Sequence, residues 1–209
     1  MKKIYCILAV AAAILFATEA RAQIGIGIGY NLINNVKDVF GIQTNTAFNG
    51  IYVEATYDIN ILEKSWGKLD VQPAMRLSHA GVRESEISYG ITSSSSENET
   101  YLDFPVFVKY SFDINTINLS AFTGPILSCG LSSVTKARVG DKATTINNYE
   151  EGGYGRFDLK LGIGISTAFD DKYEVKIGYN FGMLNRYTEN IDNISFRTGV
   201  FYAGVAFNF

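Results

Sequence analysis

From residue 23 onward, apolar and polar side chains alternate in short runs. Between residues 157 and 169 the odd positions are Phe157, Leu159, Leu161, Ile163, Ile165, Thr167 and Phe169. The even positions are Asp158, Lys160, Gly162, Gly164, Ser166 and Ala168. Successive side chains of a strand point to opposite faces, so a period of two predicts strands with one apolar and one polar face. Eight such runs are legible: 23–32, 51–61, 69–77, 102–112, 117–131, 157–169, 173–183 and 196–209. Glycines in their interiors, such as Gly162, Gly164 and Gly178, count against helices.

The intervals between runs alternate in length. Those near 62–68, 113–116 and 170–172 are short, and those near 33–49, 83–100, 132–155 and 187–195 are longer. Up-and-down membrane barrels have short periplasmic turns and longer outside loops. The pattern therefore predicts an antiparallel up-and-down barrel whose longer loops share one end. Residues 92–100 (Thr-Ser-Ser-Ser-Ser-Glu-Asn-Glu-Thr) read as a polar, mobile loop tip.

Alternation does not say which face points inward. A soluble barrel of the lipocalin kind would bury the apolar face and wet the polar one. Three features favour the opposite arrangement, with the apolar face in lipid. The polar face carries Gly25, Gly27, Gly29, Gly162, Gly164, Gly178 and Gly182, which suit a crowded lumen. Its charges nearly balance, with Glu54, Asp58, Asp70, Asp103, Asp158 and Glu174 against Arg76, Lys109, Arg156, Lys160, Lys176, Arg186 and Arg197. Charges enclosed in a narrow barrel must pair. The apolar face ends near the short turns in Tyr57, Tyr110, Phe112, Phe169, Tyr173, Phe207 and Phe209, with Trp66 in a turn, as in the aromatic girdles of membrane barrels. The expected fold is an all-β, eight-stranded transmembrane barrel with a polar, side-chain-filled lumen.

Residues 1–22 read as an export signal. Lys2 and Lys3 precede an apolar run from Ile4 to Ala17, and Ala20-Arg21-Ala22 has the small-x-small pattern of a cleavage site. The run is shorter than the ~20 residues a spanning helix needs. The barrel domain is then 23–209. Three of the 18 basic and one of the 21 acidic residues fall in 1–22, leaving 15 and 20, a net charge of −5. That balance excludes nucleic acid as an expected partner. Cys129 is the one cysteine left after residue 22, so no internal disulfide is expected.

Val71-Gln72-Pro73-Ala74-Met75 in the third run and the Tyr101–Tyr110 stretch Tyr-Leu-Asp-Phe-Pro-Val-Phe-Val-Lys-Tyr in the fourth carry a resemblance. With Gly124-Pro125 and the alternating Phe201, Ala203, Val205, Phe207 and Phe209, they resemble the PorT-family outer-membrane barrels of the Bacteroidota, within an OmpX-like superfamily. The resemblance implies a cell outer membrane location, folding by the barrel-assembly machinery, and recognition of the last strand, ending at Phe209, by that machinery. The founding member serves protein secretion; no motif here matches a secretion-specific site.

Little in the chain points to chemistry. His79 is the one histidine, and its neighbour Ser78 faces the other way on a strand, so the pair is no nucleophile and base. The His-x-Ser spacing of lipid A deacylases is absent, because Ala80-Gly81 follows. One histidine and one cysteine after residue 22 make no metal set. Gly25-Ile26-Gly27-Ile28-Gly29 lacks the spacing and following helix of a dinucleotide fingerprint. A filled eight-stranded lumen leaves no pore. No catalytic, cofactor-binding or metal residue is expected. The expectation is a monomeric, non-catalytic barrel surrounded by outer-membrane lipid. Its loops at 83–100 and 132–155 would meet a surface partner in adhesion or defence. The alternatives are an accessory part in secretion or a lipid A-modifying enzyme.

Overall fold

The structure, a computed structural model, describes residues 22–88, 91–114, 117–140, 142–170, 172–188 and 194–209. Apart from Ala22, the expected signal segment lies outside the described residues. In chain order the strands are β1 (Ala22–Val39), β2 (Ile42–Lys64), β3 (Gly67–Ser88), β4 (Ile91–Ile114), β5 (Ile117–Val139), β6 (Lys142–Asn147), β7 (Phe157–Phe169), β8 (Tyr173–Gly182) and β9 (Ile194–Asn208). Eight of them form an antiparallel ring, β4-β3-β2-β1-β9-β8-β7-β5, which the β4–β5 pairing closes. β6 stands outside the ring as a hairpin partner of β5.

The ring turns its apolar face outward, as the glycines and charges predict. Ile28 is 54% exposed and Arg76 only 3%. Exposed apolar area this extensive has no counterpart on a monomer in water; in hydrocarbon it is the required surface. At the end that carries the short turns, Trp66 meets Tyr110, Tyr173 meets Phe207, and Phe207 meets Phe209, at centroid separations of 6.0, 5.4 and 5.0 Å. This is the girdle expected at an interface.

The strands run further than the alternation indicates. β1 and β2 pair out to Val39↔Ile42, around Phe40 and Gly41 at φ 53° and 84°. Two positive φ values match the primed turn that suits the twist of a tight hairpin. β3 and β4 pair out to Ser88↔Ile91, and β5 and β6 to Val139↔Lys142. The expected loops 33–49 and 83–100 are therefore hairpin arms, and so is much of 132–155. The 92–100 stretch is part of β4, not a loop tip. Alternation is the signature of a strand whose two faces meet different media. Above the apolar band both faces are wet, and Gln43-Thr44-Asn45 and Ser93–Ser96 are polar on both, so no period shows.

Rings fill the middle of the lumen as well as charges. Tyr52, Phe107, Phe122, Ile126 and Tyr202 form one buried cluster; Ile33, Phe48, Ala80, Tyr101 and Val200 form a second. The inward glycines make room for the first. A Cβ on Gly29 or Gly204 would collide with Tyr52, and one on Gly178 with Tyr202. Gly124 is tighter still, since its Cβ would run into the Val106 carbonyl and the Phe107 Cα. Backbone cannot swing aside as a flexible side chain can. Gly124→Val is expected to abolish the heat-modifiable folded band on gels after refolding into detergent. Gly27→Ala, whose Cβ would stand 3.2 Å from its nearest neighbours, is expected to keep it.

Candidate functional site

The lumen is one candidate. Arg76 donates from Nε and Nη2 to Glu54 Oε2 at 3.0 and 2.8 Å, and its guanidinium lies 4.5 and 4.1 Å from the Tyr52 and Tyr202 ring centroids. Lys176 donates to the other oxygen of Glu54 at 2.6 Å. Nearer the short turns, Lys109 bridges Glu174 at 2.8 Å and Asp58 at 3.6 Å, and Gln72 donates to Asp58 at 2.5 Å. Lys160 reaches Asp103 at 3.4 Å and Ser128 at 3.0 Å. Arg76, Lys109, Lys160 and Lys176 thus each have a carboxylate, as desolvation requires. A vestibule of ≈ 1040 Å³ opens at the short-turn end and is lined at depth by Asp58, Asp70 and Lys109.

Two residues expected in the lumen are elsewhere. Arg156 and Arg197 are exposed. Arg156 lies over the Tyr149 ring at 4.5 Å and donates to the Gly130 and Leu131 carbonyls. Arg197 stands on the outward face of β9, opposite Val36. Conversely, Glu99 is fully buried although the sequence places it in a loop. β4 keeps its odd positions inward without a break from Lys109 through Glu99, whereas on β5 a bulge intervenes: Thr100 pairs with Ser132 but Tyr101 with Gly130, so Leu131 is extra and the inward parity of β5 flips there.

Glu99 belongs to a latch at the outer end of the lumen. It accepts from Tyr101 at 2.5 Å, Asn35 at 3.2 Å and Ser133 at 3.3 Å. Arg186, almost wholly buried, donates to Tyr101 at 2.8 Å and Thr198 at 2.9 Å, and reaches the Gly155 carbonyl at 3.4 Å. It thereby ties the segment after β8 to the segment before β7. Lys37 donates to Tyr154 in the same layer. Burial pushes the Tyr149 hydroxyl up to about 12. Burial, and then the charge of Glu99, pushes the Glu97 carboxyl above its ordinary range.

The second candidate is the set of hairpin arms beyond the apolar band. The β2–β3 ladder stops at Asn49↔Gly81, although β2 starts at Ile42 and β3 runs to Ser88. Above that point β3, β4, β5 and β6 form a four-stranded sheet. Among the described residues its two borders, β3 beyond Gly81 and the far side of β6, pair with no further strand.

The residues weighed for chemistry stay apart. His79 is exposed, and its Nδ1 lies 2.9 Å from Thr100 Oγ1, its cross-strand neighbour; Ser78 is buried on the other face. Thr100 is thus a hydroxyl the sequence did not indicate, because cross-strand register is needed to find it. No carboxylate hydrogen-bonds this pair among the described residues. Cys129 is free and half-buried, and no group of three potential metal ligands occurs among the described residues.

Three variants test these pairings. Glu54→Ala leaves Arg76 and Lys176 facing an empty position, and is expected to cost about 3–5 kcal/mol of unfolding free energy in urea titrations. Lys68→Ala removes a pair at the vestibule rim and is expected to cost about 0–1 kcal/mol. Glu97 has a raised folded-state pKa, so its ionisation disfavours the folded hairpins above that value, and the penalty disappears below the unfolded value near 4.5. Glu97→Gln should raise the thermal midpoint near pH 7 and leave it unchanged at pH 4.

No protein of curated function matches the sequence. In fold the chain is similar to Ail of Yersinia pestis, solved with the heparin analogue sucrose octasulfate, at 15% identity over 90% of this chain and 99% of that one, TM-score 0.47. It is also similar to the outer membrane enzyme PagL, at 13% identity over 85% and 97%, TM-score 0.48. A third is the outer membrane protease OmpT from Escherichia coli, at 7% identity over 93% and 99%, TM-score 0.48. The sequence profile of the outer membrane protein beta-barrel domain matches residues 16–188. That match spans most of the chain, and the closed ring with its lipid-facing apolar wall agrees with it: the protein belongs to the outer membrane protein beta-barrel domain family and resides in the cell outer membrane.

Proposed function

We propose that this barrel is a non-catalytic surface-interaction protein, working through the sheet that β3, β4, β5 and β6 raise above the outer membrane. The observation that carries the proposal is the early end of the β2–β3 ladder at Asn49↔Gly81. Inside the membrane, closure leaves no strand edge. Beyond Gly81 the edge of β3 returns, and the outer side of β6 adds another. An edge presents a row of free N–H and C=O groups, and an extended segment of a partner can add to it as one more strand. Exposed Arg83 and Glu84 on the β3 edge limit indiscriminate pairing, as charged side chains do on natural edges.

The partner is a protein or peptide segment at the cell surface, in an adhesion or defence role. The PorT resemblance of 71–75 and 101–110 supports the neighbouring idea of a secretion accessory, in which the same edges would receive a secreted chain. His79 and Thr100 supply a base and a hydroxyl with no orienting carboxylate among the described residues, which favours a protein without catalysis.

Removing residues 84–95 and 137–145 trims the edges and leaves the ring intact. The trimmed protein is expected to keep its heat-modifiable folded band, while cells carrying it lose adhesion or capture of extended peptides. Adhesion and capture equal to the parent would remove the basis of the proposal. Lipid A from cells with the parent protein and with His79→Ala is expected to have the same acyl composition by mass spectrometry. A chain missing only when His79 is present would make the protein an enzyme.

A further inference from the structure

The raised sheet separates its charges by face. Val82 packs on the inner cluster around Ile33 and Phe48, so even positions of β3 point inward there and Arg83 points outward. Arg83 pairs with Ser96, Ser96 with Lys136, and Lys136 with Thr145. Two residues further out, Ser85, Ser94, Arg138 and Ala143 form the next row. Residues directly opposite in a ladder share a face. The outward face therefore carries Arg83, Lys136 and Arg138 among hydroxyls, with no carboxylate in either row. Glu84, Glu97 and Glu99 belong to the other face. This segregation occurs in a chain that is acidic overall.

None of the three cations is in an ion pair among the described residues, including with Glu150 and Glu151, exposed in the turn after β6. Among the described residues Arg138 donates to the Gly140 carbonyl, at 3.2 Å. The face is continuous with the lipid-facing wall below it: Arg83 follows His79 and the half-exposed Leu77 on the same side of β3. Lower down, Arg156 lies over the Tyr149 ring, 4.5 Å from its centroid. At roughly 3.3 Å per residue and a tilt of about 40°, Arg83 stands on the order of 15 Å above Leu77, the last apolar residue on the outward side of β3. An ordinary headgroup layer is only about 5–8 Å deep. The cations thus overhang the membrane sideways, at the height of a large headgroup.

We propose that this face binds the phosphorylated saccharide headgroups of glycolipid in the outer leaflet, with Arg83, Lys136 and Arg138 as the phosphate-contacting residues. Arg pairs with phosphate bidentately and Lys as a point charge, and a flat sheet of hydroxyls supplies donors between them. Bound glycolipid would brace the sheet on its own membrane and leave the strand edges free. The face and the edges are separate surfaces, so this inference and the edge-pairing function can each fail alone.

The test uses the mature protein in zwitterionic detergent. Its probes are a phosphorylated bacterial glycolipid, the same glycolipid dephosphorylated, and a soluble sulfated oligosaccharide. Each exposed cation near an anionic surface is worth roughly fivefold in affinity. The triple variant Arg83→Gln, Lys136→Gln, Arg138→Gln is expected to bind the phosphorylated glycolipid ~100-fold more weakly at low salt. The gap should shrink as salt screens the charges, and Lys142→Gln on the other face should bind as the parent does. Dephosphorylation should erase the difference between parent and triple variant. If the triple variant lacks a folded band, the three single variants serve, each about fivefold weaker. Equal binding by parent and variants overturns the proposal. So does a difference that survives dephosphorylation, or binding of the soluble oligosaccharide with no preference for the phosphorylated glycolipid.

Discussion

A backbone in hydrocarbon has no water to satisfy its N–H and C=O groups, and the rest of this structure depends on that constraint. The ladder must close on itself, and here the pairing of β4 with β5 closes it. Closure fixes which face meets lipid, because an eight-stranded ring encloses only a narrow lumen. Apolar residues go outside and everything that needs a partner goes inside. Where the chain leaves the membrane the constraint lapses. The strands continue, but they need not close, and the β2–β3 ladder ends at Asn49↔Gly81.

Enclosing charges in a narrow space sets the second condition. Arg76 is held by Glu54 and by two tyrosine rings, and Lys109, Lys160 and Lys176 each reach a carboxylate. Those rings need volume, and the wall supplies it through glycines on neighbouring strands, such as Gly29 beside Tyr52 and Gly178 beside Tyr202. The same lumen is therefore glycine-rich in its lining and aromatic in its filling. Neither property indicates a ligand site; both follow from packing side chains to interior density inside a small ring.

The part of the molecule with freedom to vary is the sheet above the membrane. It has edges with free backbone groups, an outward face that is basic and an inward face that is acidic. The Arg186 and Glu99 latch roots the hairpins in the barrel. Recognition by edge and recognition by face draw on different groups, so one element can hold a partner and lie against its own membrane together.

The sequence by itself determined the ring strands, their antiparallel order and the outward apolar face. Each of these follows from a period of two, the lengths of the intervals and the chemistry of the alternating positions, all of which are local. It did not determine where the strands end. Residues such as Gln43–Asn45 and Ser93–Ser96 have water on both faces, so a strand there carries no alternation to read. Nor did it place Glu99 inside and Arg156 and Arg197 outside. Glu99 keeps the inward odd parity of β4 in a polar stretch that shows no period, Arg197 keeps the outward odd parity of β9, and Arg156 lies just before β7 begins. The pairing of His79 with Thr100, the seating of Tyr52 against Gly29 and Gly204, and the gathering of Arg83, Lys136 and Arg138 on one face depend on cross-strand register. Register joins residues far apart in the chain, and only the closed tertiary structure sets it.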